Sequence, residues 1–363
     1  MQRIVIDCRM YQASGIGRYL QNIIPAIIQM PNCSFDLLGS PSQLSELSGI
    51  DNVSIIEFVS GIYTIKEQLM YPQVISSCDL FWSPHFNIPI FPIKARRRLV
   101  TIHDAYHLAF KSKLSIKERL YADLVYKAAL SKSDKVVTVS NFSRDELLRL
   151  TNFDKKTKIE VIYNGVNQIG TLTTEQENDE DYLLFVGNIK PHKNLKNALK
   201  GFALFIEKRP ESDLKFIIVG KRDGFINGDD EILNLVTNNP ILEKRVVFTG
   251  YISDNELSDL YFNAKALIFP SFYEGFGLPP LEAMAFGTIV LCSDSACMPE
   301  ICNGCVIYFD PRDIVSIANA VEILCNDVKL VEELKIKSKE RIKMFSWNAA
   351  IEKHISLLYS LIN

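Results

Sequence analysis

The sequence predicts an α/β protein built from two doubly wound domains. Three observations support this fold class. The chain has 363 residues, which is about the length of two single-core domains. Short β-branched runs alternate with helical patterns, as in parallel sheets with helical crossovers. The same alternation runs twice along the chain, and a polar stretch separates the two runs.

The first run predicts five strands, at residues 3–7, 35–39, 53–58, 97–102 and 135–140. The second run predicts six more, at residues 182–187, 214–220, 245–250, 265–270, 288–292 and 305–309. Two S-x-x-E sequences, from Ser143 to Glu146 and from Ser253 to Glu256, match the capping box of a helix N-terminus. We therefore expect a helix to begin at each of these two serines.

The domain boundaries are predicted where the alternation of strand and helix patterns stops. The N-terminal domain is predicted at 1–165, because Asn164-Gly165 is a turn signal and an acidic, polar stretch follows it. Residues 166–181 are the predicted linker, 182–345 the C-terminal domain, and 346–363 a final helix that packs back toward the N-terminal domain. Two such domains facing a central cleft would bind ligands beyond the carboxyl ends of their strands.

Composition limits the class of protein and its compartment. Hydrophobic residues make up 47% and charged residues 23%, which is globular composition, and the net charge of −3 gives no indication of nucleic-acid binding. The N-terminus lacks the pattern of a signal peptide, and no apolar run is long enough to span a bilayer. Eight cysteines without a secretion signal favour a reducing, cytoplasmic location without disulfides.

Four of these cysteines are clustered, and the cluster raises the question of a metal site. Cys292, Cys297, Cys302 and Cys305 include one C-x-x-C pair and no adjacent histidine. Structural zinc sites usually have two close ligand pairs, so buried packing is the simpler interpretation. Asp179-x-Asp181 is a nominal metal-binding pair, but it lies in the acidic linker before a strand, where solvated charge is the simpler interpretation. We predict no metal.

A basic segment runs from Lys94 to Lys135, with 11 Lys or Arg against 4 Asp or Glu. It is either a solvated surface or a face that contacts anionic lipid or phosphate. Within it Ile116, Leu120 and Leu124 fall on one side of a helical pattern. The candidate membrane-contact residues are Lys94, Arg96, Arg97, Arg98, Lys113, Lys117 and Arg119.

The stretch "SFYEGFGLPPLEAMAFG" places Glu274 and Glu282 in an otherwise uncharged loop and helix start. Gly275 and Gly277 permit positive φ, the prolines suit a first helical turn, and free amides at a helix N-terminus bind anions. Acidic side chains beside such a site would repel an anion unless they also accept hydrogen bonds from hydroxyls of the same ligand. A sugar nucleotide supplies a diphosphate, a ribose diol and a hexose.

Two alternatives for these acids remain. Glu282 can simply favour a helix N-terminus while Glu274 is a turn residue, and a glycosidase-like acid pair is a further option.

Other candidates also follow strands. Lys193 precedes a helical pattern and can neutralise a diphosphate, or it is a solvated loop lysine. Gly15 and Gly17 follow the first strand and precede an amphipathic helix, as a tight turn or a second patch of backbone donors. His103 ends a strand, where a histidine can bind substrate or move protons, or can be an ordinary core residue. His85 is a weaker analogue.

These motifs together resemble the retaining glycosyltransferases of family 4, and in particular bacterial polysaccharide and O-antigen mannosyltransferases. The motifs that carry the resemblance cover essentially the whole chain: "GIGRY", "IHD", "VVTVSNFSRDEL", "VIYNGV", "FVGNIKPHKN", "FTGYISDNEL" and "EGFGLPPLEAMAFG", which has the E-x7-E spacing. The resemblance implies the GT-B architecture of two Rossmann-like domains.

The resemblance also implies roles for individual residues. Glu282 would bind the nucleotide ribose and Glu274 the donor sugar, while His103 would contact the transferred sugar. Lys193 and the amides from Phe276 to Leu278 would hold the diphosphate. The remaining implied donor-site residues are Gly15, Gly17, Gly187, Asn188, Gly250, Tyr251, Ile252 and Gly275. Many family members have an arginine where this chain has Asn188, so the diphosphate would depend more on Lys193.

The expected reaction moves a hexose from a nucleotide diphosphate sugar to a lipid-linked saccharide acceptor, with retained configuration and without metal or other cofactor. GDP-mannose is the leading donor and a UDP-sugar the alternative. Arg18, Asp104 and Ser140 are acceptor-side candidates. A nucleotide-sugar epimerase and a non-catalytic binding protein are more remote readings. The sequence predicts no oligomeric state.

Overall fold

Two parallel β-sheets form the centres of two α/β units in the described part of the chain. The computed structural model describes residues 1–167, 181–220 and 229–363. Unit 1 comprises Met1–Gly165 and Trp347–Asn363, and unit 2 comprises Val166–Ser346. Most of the predicted linker at 166–181 lies outside the described residues, and so does Asp179 of the D-x-D pair.

The sheet of unit 1 has seven strands among the described residues, in the order β3-β2-β1-β4-β5-β6-β7, and all neighbours are parallel. The order reverses between β1 and β4, which makes the sheet doubly wound. The strands are β1 (Gln2–Asp7), β2 (Cys33–Gly39), β3 (Val53–Glu57), β4 (Cys78–Ser83), β5 (Ala95–Ile102), β6 (Lys135–Thr138) and β7 (Ile159–Val161).

Six helices accompany this sheet in the part of the chain that the structure describes. The first five are α1 (Ser14–Ile27), α2 (Ile65–Val74), α3 (Tyr106–Ala109), α4 (Ile116–Lys132) and α5 (Asn141–Thr151). The sixth, α14 (Trp347–Ile362), comes from the C-terminus and packs against α1 and β4. Its buried face carries Trp347, Ala350, His354 and Leu358, so this unit is completed by both ends of the chain.

Unit 2 has a six-stranded parallel sheet in its described residues, in the order β10-β9-β8-β11-β12-β13. The strands are β8 (Tyr182–Val186), β9 (Lys215–Val219), β10 (Val246–Gly250), β11 (Ala266–Phe269), β12 (Ile289–Ser293) and β13 (Ile307–Phe309). The helices are α6 (Leu195–Lys208), α7 (Asp229–Thr237), α8 (Pro240–Arg245), α9 (Asp254–Asn263), α10 (Leu278–Ala285), α11 (Met298–Cys302), α12 (Ile314–Asn326) and α13 (Val328–Ile342). Its strand order again reverses at the first strand, between β8 and β11.

All eleven predicted strands occur, but the prediction missed β4 and β7. The β4 segment is Cys-Asp-Leu-Phe-Trp-Ser, which has no β-branched residue and is soon followed by prolines. Ser253 caps α9 with the predicted capping box. The predicted helix start at Ser143 is wrong, because Ser140 caps α5 by accepting a hydrogen bond from the Ser143 amide.

Two structural observations concern membrane and metal. No helix among the described residues is long and apolar enough to cross a bilayer. Those residues also hold no group of three or more His, Cys, Asp or Glu side chains arranged to bind a metal. All eight cysteines are described and are free thiols, and seven are buried. Burial raises the pKa of the Cys292 and Cys297 thiols well above their ordinary value, as expected of packing residues.

Candidate functional site

The site of unit 2 lies where its strand order reverses. β8 is flanked by β9 on one side and β11 on the other, so the chain crosses to opposite sides of β8 after these two strands, while the loops that leave them meet at the strand ends. Ligands of doubly wound sheets bind at this point. Lys193 lies in the loop after β8, and Glu274 lies in the loop after β11.

Lys193 and Glu274 form an ion pair with 2.5 Å between Nζ and Oε1. Their side chains retain 18% and 14% exposure, so both remain accessible from solvent. The ammonium also lies 5.5 Å from the centroid of the Phe269 ring. An ammonium group and a carboxylate are thereby held side by side.

Backbone and amide hydrogen bonds fix the two loops to each other. The Phe272 amide donates to the carbonyl of His192 at 2.8 Å. The buried side chain of Asn194, which has a left-handed φ of 56°, donates to the carbonyls of Pro270 and Pro311 at 3.1 and 2.7 Å. The Lys193–Glu274 pair therefore rests on a rigid support rather than on two independent loops.

The N-terminus of α10 supplies backbone donors next to this pair. Gly277 caps the helix with φ of +85°, a conformation that favours glycine. An added Cβ there would also lie 2.4 Å from Met298 Cε. The first four amides of a helix have no partner within the helix, and in α10 they belong to residues 277–280. Pro279 and Pro280 have no amide hydrogen, so Gly277 and Leu278 are the remaining donors. They are the strongest candidates for an anion cradle.

Glu282 is the fifth residue of α10, one position beyond the first turn in which the sequence placed it. It is half-buried, and its Oε2 accepts a hydrogen bond of 2.8 Å from the Tyr261 hydroxyl. Tyr261 is itself buried and stacks on Phe286 with 5.5 Å between ring centroids. The carboxylate is thus oriented by a side chain that is fixed by packing.

The remaining predicted donor-site residues of unit 2 lie at the ends of strands or in the loops that follow them, at this edge of the sheet. Gly187 and Asn188 follow β8, and Gly187 has φ of 150°. Gly220, after β9, approaches Gly187 so closely that a Cβ would lie 2.3 Å from the Gly187 oxygen. Gly250 ends β10 with φ of 74°, and Tyr251 beyond it is 81% exposed. Ile252 is half-buried and Gly275 buried.

In unit 1, His103 follows β5 and is held on several sides. Its Nε2 lies 2.9 Å from the Pro84 carbonyl, which can only accept, so Nε2 carries the proton and Nδ1 is left as an acceptor. The Tyr19 ring meets it edge-on, with 4.9 Å between centroids. Burial lowers the pKa of His103 to about 4, although the hydrogen bond to Pro84 raises it. The lowered pKa keeps the ring neutral near pH 7.

A buried charged cluster at the end of β1 was missed by the sequence reasoning. Arg9 donates to Asp7 through Nε at 2.8 Å and through Nη2 at 2.6 Å, and also to Glu67 at 2.6 Å. Burial opposes ionisation of Asp7, but Arg9 and His85 hold its pKa well below the ordinary range. The Asn87 amide donates to Glu67 at 2.7 Å. The cluster fixes the loop after β4, whose Pro84 carbonyl orients His103.

The glycines and acceptor candidates of unit 1 fall into different settings. Gly15 and Gly17 lie inside the first turn of α1 rather than before it, because the helix begins at Ser14. Gly15 is exposed with open space around it, whereas a Cβ on Gly17 would lie 2.8 Å from the Tyr11 oxygen. Half-buried Arg18 follows them.

Asp104 and Ser140 both bond to local backbone. Asp104 accepts from the Tyr106 amide at 2.9 Å. Ser140 is fully buried and its hydroxyl caps α5.

Comparison with known proteins gives the family. Residues 173–341 match the family Glycosyl transferases group 1, and residues 65–168 match Glycosyltransferase Family 4. An O-antigen chain mannosyltransferase of Salmonella typhimurium is 31% identical over 304 residues, which are 84% of this chain and 78% of the relative. The chain belongs to glycosyltransferase family 4. An O-antigen chain mannosyltransferase of Escherichia coli is 27% identical to this glycosyltransferase, covering 93% of each chain.

Solved structures show that the glycosyltransferase has the GT-B fold. Sucrose-phosphate synthase from Thermosynechococcus elongatus superposes with a TM-score of 0.78 at 19% identity, covering 99% of each chain. Anabaena HepE in complex with UDP-glucose gives a TM-score of 0.76 at 16% identity, covering 99% of this chain and 100% of HepE. The predicted fold class is confirmed.

The candidate membrane-contact residues of the glycosyltransferase do not form one group. Arg97 pairs with Asp134 at 2.8 Å, and the half-buried Arg98 donates its amide to the same carboxylate. Arg97 and Arg98 therefore lie near the C-terminal end of α4, because Asp134 comes two residues after that helix. The exposed Lys94 and Arg96 belong to the same stretch of chain. Lys113 and Lys117 lie at the other end of α4, about 25 Å away for a helix of this length. Arg119 is bonded to the Leu114 carbonyl.

Proposed function

We propose that this glycosyltransferase moves a hexose from a nucleotide diphosphate sugar to a saccharide acceptor in the assembly of a bacterial surface polysaccharide. The observation that carries the proposal is the Lys193–Glu274 pair. A sugar 1-diphosphate has hydroxyls within a few bonds of its phosphates. A cation and a carboxylate in contact match that spacing, because one can hold the phosphate while the other accepts from a sugar hydroxyl.

Mannose from GDP-mannose is the proposed donor sugar. The support is the similarity over most of the chain to two O-antigen chain mannosyltransferases. A UDP-sugar is the alternative donor, since HepE, which shares the fold, binds UDP-glucose. The acceptor is proposed to be a lipid-linked saccharide.

The chemistry that the residues offer is electrostatic. As the bond from C1 to the diphosphate breaks, negative charge grows on the leaving oxygen. Lys193 and the amides of Gly277 and Leu278 would stabilise that charge. Glu274 would orient the hexose, and Glu282 the ribose. We propose that the acceptor hydroxyl attacks the face of C1 that the diphosphate leaves, which retains configuration, and that its proton passes to the departing diphosphate oxygen. We also propose that no metal takes part, because these groups supply the positive potential.

The test is transfer by the purified enzyme, with GDP-mannose and UDP-glucose as donors and a lipid-linked saccharide as acceptor. We expect nucleotide release that depends on acceptor, an α-configured product from an α-configured donor by NMR, and unchanged rates in EDTA. Lys193→Met should lower kcat at least about 100-fold, as for loss of a charge-stabilising group.

A matched control is available on α6. Lys196 also pairs with a glutamate of the same unit, Glu231, but on the surface. Lys196→Met should leave kcat unchanged. Equal losses in both lysine variants would contradict the assignment of Lys193. Donor interconversion without acceptor would instead indicate an epimerase, and binding without any turnover a non-catalytic protein.

We further propose that the enzyme works at the cytoplasmic face of an anionic membrane through α4. Ile116, Leu120 and Leu124 form an exposed apolar stripe on this helix, with 75%, 66% and 52% exposure. Lys113 and Lys117 are exposed at its N-terminal end and Lys127 near its C-terminal end. Apolar side chains with flanking lysines match an anionic bilayer surface. The free thiols support a reducing compartment.

The α2 helix extends this surface. Its Ile65 and Leu69 are also exposed, and the neighbouring Gln68 amide donates to the Tyr121 hydroxyl of α4 at 3.4 Å. Co-sedimentation with vesicles that contain phosphatidylglycerol should be lost in Leu120→Glu/Leu124→Glu and retained in Ile336→Glu, a similarly exposed apolar position of unit 2. Dimers that dissociate in the double variant, with no vesicle binding by the wild type, would show that the stripe contacts a second copy instead.

A further inference from the structure

A buried histidine on the C-terminal helix has no role in the reaction as described so far. His354 lies on α14 and is fully buried, as are Tyr19, Trp82 and Thr101 around it. Its Nε2 is 2.6 Å from the Tyr19 hydroxyl, and its Nδ1 is 2.7 Å from the Ala350 carbonyl. A polar side chain in this core is useful only if its hydrogen bonds are specific.

The partners determine the direction of each hydrogen bond. The Ala350 carbonyl can only accept, so Nδ1 of His354 carries the proton and Nε2 accepts from the Tyr19 hydroxyl. That hydroxyl can then accept from Thr101 Oγ1 at 3.2 Å. Thr101 Oγ1 in turn accepts from the Trp82 indole at 3.1 Å. Every donor in this chain has an acceptor, so the position of the Tyr19 ring is well defined.

The Tyr19 ring is the element that reaches the candidate site. It meets His103 edge-on with 4.9 Å between centroids and an interplanar angle of 88°. His103 is otherwise held by the Pro84 carbonyl at Nε2 and by Ser143 Oγ, which donates to the His103 carbonyl at 2.9 Å. The first of these contacts is a single hydrogen bond about which the imidazole could tilt. Packing against Tyr19 restricts that tilt.

We propose that His354 is a positioning residue for His103, acting through Tyr19. The inference rests on the proposed function together with the role that the family resemblance implies for His103, which is contact with the transferred sugar. Loss of the acceptor at His354 leaves the Tyr19 hydroxyl without one partner and loosens the ring. The acceptor atom Nδ1 of His103 then samples positions away from the productive one, and small displacements of such groups reduce turnover.

The kinetic test compares variants that keep or remove the acceptor. His354→Leu should lower kcat about tenfold with KM for the donor within about twofold of wild type, because donor binding is proposed to depend mainly on the diphosphate and ribose contacts of unit 2. His354→Gln, whose amide oxygen can accept from Tyr19, should restore most of the rate. Tyr19→Phe should resemble His354→Leu, and the double variant should be no slower than either, as for two residues in one chain of contacts.

A control variant separates positioning from loss of stability. Leu358 is fully buried on the same helix, and its aliphatic side chain cannot hydrogen-bond to Tyr19. Leu358→Ala should lower the melting temperature and leave kcat unchanged well below it. Wild-type kcat in folded His354→Leu, or additive losses in the double variant, would overturn the proposal.

A second readout is independent of turnover. In protein with 15N-labelled histidine, the His103 imidazole signals should shift or broaden in His354→Leu and in Tyr19→Phe but not in Leu358→Ala. If the wild type transfers no sugar from any nucleotide, the proposed function fails while this measurement still decides the positioning. Unchanged His103 signals in both variants would refute it. Should His354→Leu not fold, Tyr19→Phe provides the same comparison.

Discussion

Replacing Glu282 by glutamine tests the ribose assignment with little disturbance of the fold. The Tyr261 hydroxyl donates to Glu282 Oε2 at 2.8 Å, and the amide oxygen of glutamine can accept the same bond. The side chain is half-buried at the second turn of α10, so the change in melting temperature should be small. What is lost is one charged acceptor for a hydroxyl of the nucleotide.

The expected loss of affinity follows from that single change. A hydrogen bond to a charged group contributes about 1.5–3 kcal/mol, which corresponds to roughly a 10- to 150-fold rise in Kd. Calorimetry with GDP and UDP measures it directly. The 2′-deoxy nucleotide is the decisive ligand. It should bind the wild type more weakly than the ribonucleotide, and Glu282→Gln should bind both about equally.

The control and the refuting result are equally specific. Glu333 is an exposed residue of α13, and Glu333→Gln should bind nucleotide as the wild type does. If Glu282→Gln binds GDP and UDP with wild-type affinity, or still distinguishes ribose from 2′-deoxyribose, Glu282 does not contact the ribose. Tyr261→Phe should give a smaller loss, because it removes the orientation of the carboxylate and keeps its charge.

Three further predictions concern stability. Burial lowers the pKa of His354 to about 4. The free energy of unfolding should therefore fall as pH drops from about 6.5 to 4, by up to about 3 kcal/mol for this residue. Urea titrations should show a weaker pH dependence of stability in His354→Leu, and an unchanged pH dependence would refute the assignment. Gly165→Ala places Cβ 2.1 Å from the Trp347 nitrogen and should cost more than about 3 kcal/mol, seen as a large fall in melting temperature. Gly17→Ala, with its Cβ 2.8 Å from the Tyr11 oxygen, should also lower the melting temperature, whereas Gly15→Ala in open space should not.

The predicted elements show which information is local. The strands before Gly187 and Gly220 are mainly apolar runs of buried or half-buried residues, as expected inside a parallel sheet, whereas β10 lies at the sheet edge and leaves Val247 45% exposed. The glycines that end these three predicted strands mark where the chain must turn. β4 was missed because its strand character comes from its neighbours β1 and β5 rather than from β-branched residues. Strand propensity depends on the residue type alone, whereas placement between two neighbouring strands depends on the rest of the sheet.

The side-chain pairs at the site depend on topology as well. Lys193 and Glu274 are 81 residues apart, but both follow strands that meet where the sheet order reverses, so their proximity was predictable once the sheet was. Tyr19 and His354 are 335 residues apart, and their contact requires the last helix to return to unit 1. The sequence does contain a signal for it, a histidine one turn after Ala350 and one turn before Leu358 on an apolar helix face.

The charges of the loop after β11 explain how two acids can lie beside an anion site. Glu274 is neutralised by Lys193, and Glu282 is half-buried and receives a hydrogen bond from Tyr261. Because Lys193 is shared with Glu274, it cannot balance a diphosphate alone. In the proposed complex the amides of Gly277 and Leu278 would then be the principal fixed donors, and the hydroxyls of ribose and hexose would contribute through the two glutamates. We therefore expect the site to favour a whole sugar nucleotide over inorganic phosphate, since phosphate lacks the ribose and hexose hydroxyls that could donate to both glutamates.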